Sequence, residues 1–191
     1  MEFFLSSDTK HQNQETKKFH IQQSKLFVND SLKGFSIDSI SPIIFSDTDE
    51  MYNFRNPYLL EKGGKKYMLF SSDKVGGKGG RDVWYSEKKR GKWTLPKNLG
   101  SKINTPGNEV GPYYSIQSNR FYFASDWHYG LGGYDVFEAI GYWKKPTSVV
   151  NMGIPINSKA NDLYYSPLDS LRGMLTSTRE GAQTDKDAVC C

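Results

Sequence analysis

The sequence predicts an all-β chain folded as β-propeller blades of about four short antiparallel strands each. Three observations predict it: a segment written twice at a fixed offset, strand signals without helix signals in each copy, and an aromatic-rich composition. Residues 69–80 (LFSSDKVGGKGG), followed by Arg81-Asp82-Val83-Trp84, match residues 122–133 (YFASDWHYGLGG), followed by Tyr134-Asp135-Val136-Phe137. Downstream, Trp93, Asn98-Leu99-Gly100 and Ile103-Asn104 match Trp143, Asn151-Met152-Gly153 and Ile156-Asn157. The offset is 53 residues from Asp73 to Asp126, from Asp82 to Asp135 and from Asn104 to Asn157. A fixed period of tens of residues marks units that cannot bury their apolar faces alone and must stack.

The repeats divide the chain in order. Residues 1–55 read as a divergent partial repeat: FFLSSD at 3–8 matches MLFSSD at 68–73, but the Gly-rich loop is missing and 10–18 is polar. Residues 56–108 form one repeat. Its KYMLFS run at 66–71 is dense in strand-type residues, 82–86 makes a second strand, and KKRGK at 88–92 turns the chain into a third around Trp93. Residues 109–161 form the next, with GPYYSI at 111–116, a polar turn at 117–119, RFYFA at 120–124 and a strand at 135–139. Residues 162–191 read as a truncated last repeat in which MLTSTR at 174–179 matches 69–74. One period thus holds about four strands, the content of a propeller blade. The ring is expected to be incomplete in this chain. Its open edge strands lead us to expect that 1–191 alone behaves poorly and that the gene encodes more at both ends.

Composition excludes other classes. Hydrophobic residues are 37% and aromatics 14%, which suits thin aromatic-cored sheets and not a helical bundle. The net charge of +4 is scattered, and its densest cluster lies at the 88–92 hairpin tip, so no nucleic-acid partner is expected. No apolar run reaches the about 20 residues of a membrane helix. The first residues, MEFFLSSDTK, lack the pattern of a signal peptide. Cys190 and Cys191 are the only cysteines.

Within the repeat, Ser72-Asp73 and Ser125-Asp126 end strands, where short polar side chains bond nearby backbone N–H groups. The glycines of GGKGG (76–80) and GLGG (130–133), Gly79, Gly80, Gly132 and Gly133 among them, are expected to supply positive φ. Asp82 and Asp135 open the next strand and accept hydrogen bonds from the loop they close; Trp84 and Phe137 fill the space between sheets. These positions are read as blade-building. Calcium held by Asp73, Asp82 and loop carbonyls is the sharper alternative, but the loops carry too few acids, so no metal and no cofactor are predicted. His128 stands alone, without a nucleophile context. Glu109 and Asp162 occupy equivalent places in different blades. A facing pair of carboxylates is what a glycosidase needs, yet as repeat-encoded residues they are read as loop-forming, and no catalytic residue is predicted. The copies differ at Trp127-His128-Tyr129, which are therefore the candidate partner contacts.

The strings SSDKVGGKGGRDVWYS, GKWTLPKNLGSKINTPGNEVGPYYS and FASDWHYGLGGYDVFEA resemble the WD-repeat-like, TolB-type blades of OmpA-family envelope proteins from Bacteroidetes-type bacteria. The resemblance covers about 56–191, and 1–55 more loosely. It implies a non-enzymatic interaction or scaffold module in the periplasm or outer membrane, linked in some members to type IX secretion or gliding. Other envelope proteins would be its partners, and peptidoglycan would be reached only through a flanking domain not among these residues. The alternative reading is a carbohydrate-binding or glycosidase-like propeller, favoured by the aromatic richness.

Overall fold

The computed structural model describes the backbone of residues 2–9, 18–29, 34–42, 52–169, 172–181 and 188–190, and side chains within 52–169 and 172–181. The polar stretch expected at 10–18 lies outside the described residues apart from Lys18, and so does Cys191.

Every element among the described residues is a strand, and the strands form consecutive antiparallel meanders. The first sheet is β1 (Glu2–Thr9), β2 (Lys18–Asn29) and β3 (Gly34–Pro42). The second is β4 (Phe54–Lys62), β5 (Lys65–Ser72) and β6 (Asp82–Lys89), with β7 (Lys92–Trp93) and β8 (Lys97–Asn98) both paired to β6. The third runs β9 (Glu109–Ser115), β10 (Arg120–Ser125), β11 (Asp135–Tyr142) and β12 (Lys145–Asn151). The fourth is β13 (Asp162–Pro167), β14 (Gly173–Ser177) and β15 (Ala188–Cys190).

The outermost strand differs between the two long sheets for a local reason. Pro96 has no N–H to give a ladder, so the segment 92–98 breaks into the two-residue β7 and β8. In the third sheet Pro146 sits at the second position of β12, at the strand's start, and the strand continues to Asn151.

The sheets pack on one another through their faces, with their first strands adjacent. Each begins with an edge strand, and β4 packs against both β1 and β9, while β9 packs against β13. No contact joins β13 back to β1 among the described residues, so these four sheets form an open arc of a β-propeller-like fold.

Alternation along β5 explains how blades cohere. Side chains two apart share a face. Tyr67 and Leu69 enter a core with Phe121, Phe123, Phe137 and Trp143 of the following blade. Met68 and Phe70 enter a second core on the opposite face with Phe54 and Trp84. A strand buried on both faces reads as a continuous apolar run, which is why KYMLFS shows no polar alternation. Trp84 and Phe137, equivalent in sequence, therefore serve different cores.

Polar joints complete the packing. Asn104 Oδ1 accepts from Val83 N at 2.8 Å, while its Nδ2 donates to Val83 O and to Asn98 Oδ1, both at 2.9 Å. Asn157 repeats this with Val136 N at 2.7 Å, Val136 O at 2.8 Å and Asn151 Oδ1 at 2.8 Å. A buried asparagine thus gives the strand residue's N–H its acceptor and adds a second donor to its C=O, which also accepts from Leu99 N or Met152 N at 3.1 Å.

The glycines correct an expectation. Positive φ occurs at Gly76, but not at Gly79, Gly80, Gly132 or Gly133. Close approach of backbone imposes glycine there instead. A Cβ on Gly79 would lie 2.3 Å from the Pro106 carbonyl, and one on Gly132 would lie 2.0 Å from Ala160 O. The Gly-rich loop of one blade presses on the link that leads into the next.

Candidate functional site

Strands β4, β9 and β13 each carry an irregularity at the same place. The register slips between Arg55 and Tyr58 in β4, opposite Tyr122 to Ala124 in β9, and between Leu163 and Ser166 in β13. At each slip one residue has positive φ: Asn56 at 52°, Gly111 at 60° and Tyr164 at 57°. A bulge bends the strand and re-aims its side chains. Here the bulges turn Asn56-Pro57-Tyr58, Gly111-Pro112-Tyr113 and Tyr164-Tyr165 into one concave mouth of about 190 Å³.

Four tyrosines dominate it. Tyr58 and Tyr113 meet at 4.9 Å with tilted rings, and Tyr165 stands edge-on to Tyr122 at 5.2 Å. Tyr164 remains 45% exposed, and its hydroxyl accepts from Asn56 Nδ2 at 3.1 Å. Gly111 is required twice over, by its φ and because a Cβ would sit 2.6 Å from Cδ1 of Tyr164. Tyr58 donates its phenol proton to Tyr114 O at 2.6 Å. Burial, helped by the neighbouring phenols of Tyr113 and Tyr114, pushes its pKa up to about 12. The mouth is therefore uncharged, aromatic and edged by hydroxyl and amide groups.

Two carboxyls begin the inner strands just ahead of the mouth. Glu109 precedes Gly111 by two residues, and Asp162 precedes Tyr164 by two. Both side chains are fully buried. Glu109 accepts from Thr105 N at 2.8 Å, from the Thr105 hydroxyl and from Ser125 Oγ at 2.8 Å. Burial pushes its pKa up, and these hydrogen bonds only partly offset that. Asp162 accepts from Ser158 N and Oγ, from Ser177 Oγ and from Arg179 Nη2. Burial alone would raise it, but the bonds from Ser177, Arg179 and Ser158 prevail and hold its pKa below the usual carboxylate range. Equivalent positions in adjacent blades thus carry carboxyls biased in opposite directions.

The blade-motif residues surround the loops of the same face. Ser72 Oγ accepts from Lys74 N, and Ser125 Oγ from Trp127 N and His128 N. Asp73 and Asp126 reach further: Asp126 accepts from Asn108 N at 2.6 Å and Asn108 Nδ2 at 2.7 Å, as Asp73 does from Asn53. Asp82 Oδ2 accepts from Lys78 N and Asn98 Nδ2, and Asp135 Oδ2 from Leu131 N and Gly132 N. The Oδ1 atom of each is buried without a hydrogen-bond partner. No group of three or more His, Cys, Asp and Glu that would hold a metal occurs among the described residues.

The three candidate contact residues part company. Trp127 is 62% exposed and Tyr129 97% exposed. His128 turns inward, packing against Phe123 and Phe137, and its Nε2–H donates to Ile103 O at 2.9 Å. The mouth tyrosines were not singled out from sequence. Their signal was the match of Asn56-Pro57-Tyr58 to Gly111-Pro112-Tyr113, where a Pro inside a strand marks a bulge.

No protein-family pattern matches the chain, and no curated protein does. Solved structures do share its fold. The endo-arabinase from Bacteroides thetaiotaomicron aligns at TM-score 0.56 and 14% identity, over 100% of this chain and 74% of that one. The α-L-arabinofuranosidase from Lactobacillus brevis aligns at 0.55 and 14%, over 99% and 66%. A protein of unknown function from Dyadobacter fermentans aligns at 0.55 and 10%, over 99% and 48%. This chain therefore spans about half of the Dyadobacter protein and about two thirds of the arabinofuranosidase.

These likenesses correct the expected kinship with TolB-type, OmpA-family repeats, and with it the expectation of a non-enzymatic envelope scaffold. The fold is shared with proteins named as an α-L-arabinofuranosidase and an endo-arabinase, while no pattern or curated relative supports the envelope family. The physical reason is that the matched strings are joinery. Gly79, Gly132, Asn104, Asn157 and the Ser-Asp pairs seat one blade on the next. Such residues report how blades stack and carry no information about a ligand or an activity.

Proposed function

We propose that this chain supplies the saccharide-engaging blades of a carbohydrate-active, glycosidase-like propeller. The observation that carries the reading is the tyrosine mouth built by the same bulge in successive inner strands. Sugar rings present C–H faces that lie on aromatic rings, and hydroxyls that pair with phenol and amide groups. Tyr58, Tyr113, Tyr164, Tyr165 and Asn56 offer that combination in one concavity. The fold shared with an α-L-arabinofuranosidase and an endo-arabinase supports the substrate class.

Cleavage of a glycosidic bond divides labour between a protonated and an ionised carboxyl. Glu109, biased toward the acid form, and Asp162, biased toward the carboxylate, have those states next to the mouth. Both are closed in by Thr105, Ser125, Ser158, Ser177 and Arg179. Glycan engagement is therefore the first step to test and bond cleavage the second.

The test is calorimetric titration with arabinobiose and linear arabinan, alongside release of reducing ends. Binding that is lost in Tyr113→Ala and Tyr164→Ala is the expected result. Neither binding nor release by the wild-type protein would refute it.

A further inference from the structure

Beside the mouth lies a second concavity. The pairs Ser125↔Asp135 and Ser125↔Glu109 place the β10–β11 loop and the start of β9 at one end of the sheet. There a groove of about 590 Å³ opens between Trp127 and Tyr134 of that loop, Gly107-Asn108 of the preceding link and Asn161 of the following one. We infer that this groove is a second saccharide subsite, holding the part of a glycan chain that extends beyond the tyrosine mouth. The inference rests on the proposed saccharide role of the mouth.

The argument turns on Asn161. In the two preceding blades the matching asparagine gives its amide to an aspartate: Asn53 Nδ2 to Asp73 Oδ2 and Asn108 Nδ2 to Asp126 Oδ2, both at 2.7 Å. Thr178 stands at the aspartate position of the last blade. It accepts from Asn161 N at 3.1 Å through its hydroxyl, but it has no second acceptor to offer. Asn161 Oδ1 accepts from Tyr134 N at 3.0 Å, so the amide is held in place, and its Nδ2 has no partner among the described residues. A positioned, unused donor thus lines the groove.

Across from it stands Trp127, exposed and without a ring partner among the described residues, an indole face available for stacking. Asp126 lines the same groove. Its oxygens each hold one hydrogen bond from Asn108, and the Tyr134 phenol bonds to the same carboxylate, which still has a lone pair for a hydroxyl. Tyr134 adds a phenol kept protonated by burial and by the charge of Asp126. Blade joinery elsewhere fills these places: Lys74 and Arg179 replace Trp127, and Arg179 is consumed by Asp162. Asn161 immediately precedes β13, and Tyr164 of that strand lines the mouth, so one glycan chain is expected to reach both sites.

The experiment compares arabinobiose with linear arabinan on wild type, Trp127→Ala, Asn161→Asp and Tyr113→Ala. Asn161→Asp keeps the acceptor for Tyr134 N and replaces the donor by a charged acceptor. Wild type is expected to bind arabinan more tightly than arabinobiose. Trp127→Ala and Asn161→Asp should each weaken arabinan about tenfold, a loss of about 1.4 kcal/mol, and leave arabinobiose unchanged, with unaltered melting temperatures. Tyr113→Ala should weaken both ligands. Arabinan affinity unchanged in Trp127→Ala, or equal wild-type affinity for the two probes, overturns the subsite alone. Absence of binding to either probe overturns the mouth and the subsite together.

Discussion

Replacing Asn157 by Ala should be among the most damaging single changes in the chain, although it removes no apolar contact. Asn157 is 1% exposed and makes three hydrogen bonds, two of them to the N–H and C=O of Val136. Val136 is itself 1% exposed, so water does not replace the lost partners. A buried polar group left unsatisfied costs about 1–3 kcal/mol. Val136 O keeps Met152 N at 3.1 Å and Asn151 Oδ1 keeps Gly153 N at 2.8 Å, so the Val136 N–H is the group left unsatisfied, and with the two further bonds lost the destabilisation is about 2–4 kcal/mol. At about 2–4 °C per kcal/mol for a chain of this size, the melting temperature falls by about 4–16 °C. Urea unfolding should show a lower midpoint with an unchanged m-value. Asn104→Ala removes the same three bonds from Val83 and Asn98 and should cost the same within about 1 kcal/mol. A loss below about 1 kcal/mol in both variants would refute the reasoning that these asparagines join the blades.

Other outcomes follow from the same geometry. Gly132→Ala forces a Cβ to 2.0 Å from Ala160 O and should cost about 1–3 kcal/mol by overpacking, whereas Gly91→Ala meets open space and costs only its left-handed φ, about 1–2 kcal/mol; thermal melts rank them. Glu109 has a folded pKa above its unfolded one, so its contribution is fully present below the unfolded pKa and is lost as pH rises through the folded value. Glu109→Gln should remove that loss and flatten the stability-against-pH curve there. Asp162 runs the other way: its stabilisation is present above the unfolded pKa and is lost as pH falls through the depressed folded value. Arg179→Met should weaken that acid-side dependence and cost about 1.5–3 kcal/mol near neutral pH. In an alkaline spectrophotometric titration, Tyr58 should stay protonated until about pH 12.

The fold class was legible because blade stacking writes itself into the chain at each period. Backbone contact at Gly79 and Gly132, and the side-chain joints at Asn104 and Asn157, admit few alternatives, so the copies agree at those residues. The reason for the glycines was not legible. Close approach and positive φ select the same residue, and only coordinates tell them apart. The mouth was harder still. Tyr58, Tyr113 and Tyr164 come together through bulges in three separate strands, and an aromatic in a strand is as often core as surface. Tyr114, next to Tyr113, is indeed buried at 2% exposure. What the copies share described assembly; the mouth depends on which face each tyrosine takes, and a one-residue register slip decides that.

Saccharide engagement at the tyrosine mouth is tested most directly by titrating linear arabinan into wild-type protein and into the Tyr113→Ala, Tyr164→Ala double variant, with melting curves confirming that both are folded. Saturable binding by the wild type that disappears in the folded double variant is the predicted result. Arabinan binding that survives loss of both tyrosines, or no binding by the wild type, would contradict it.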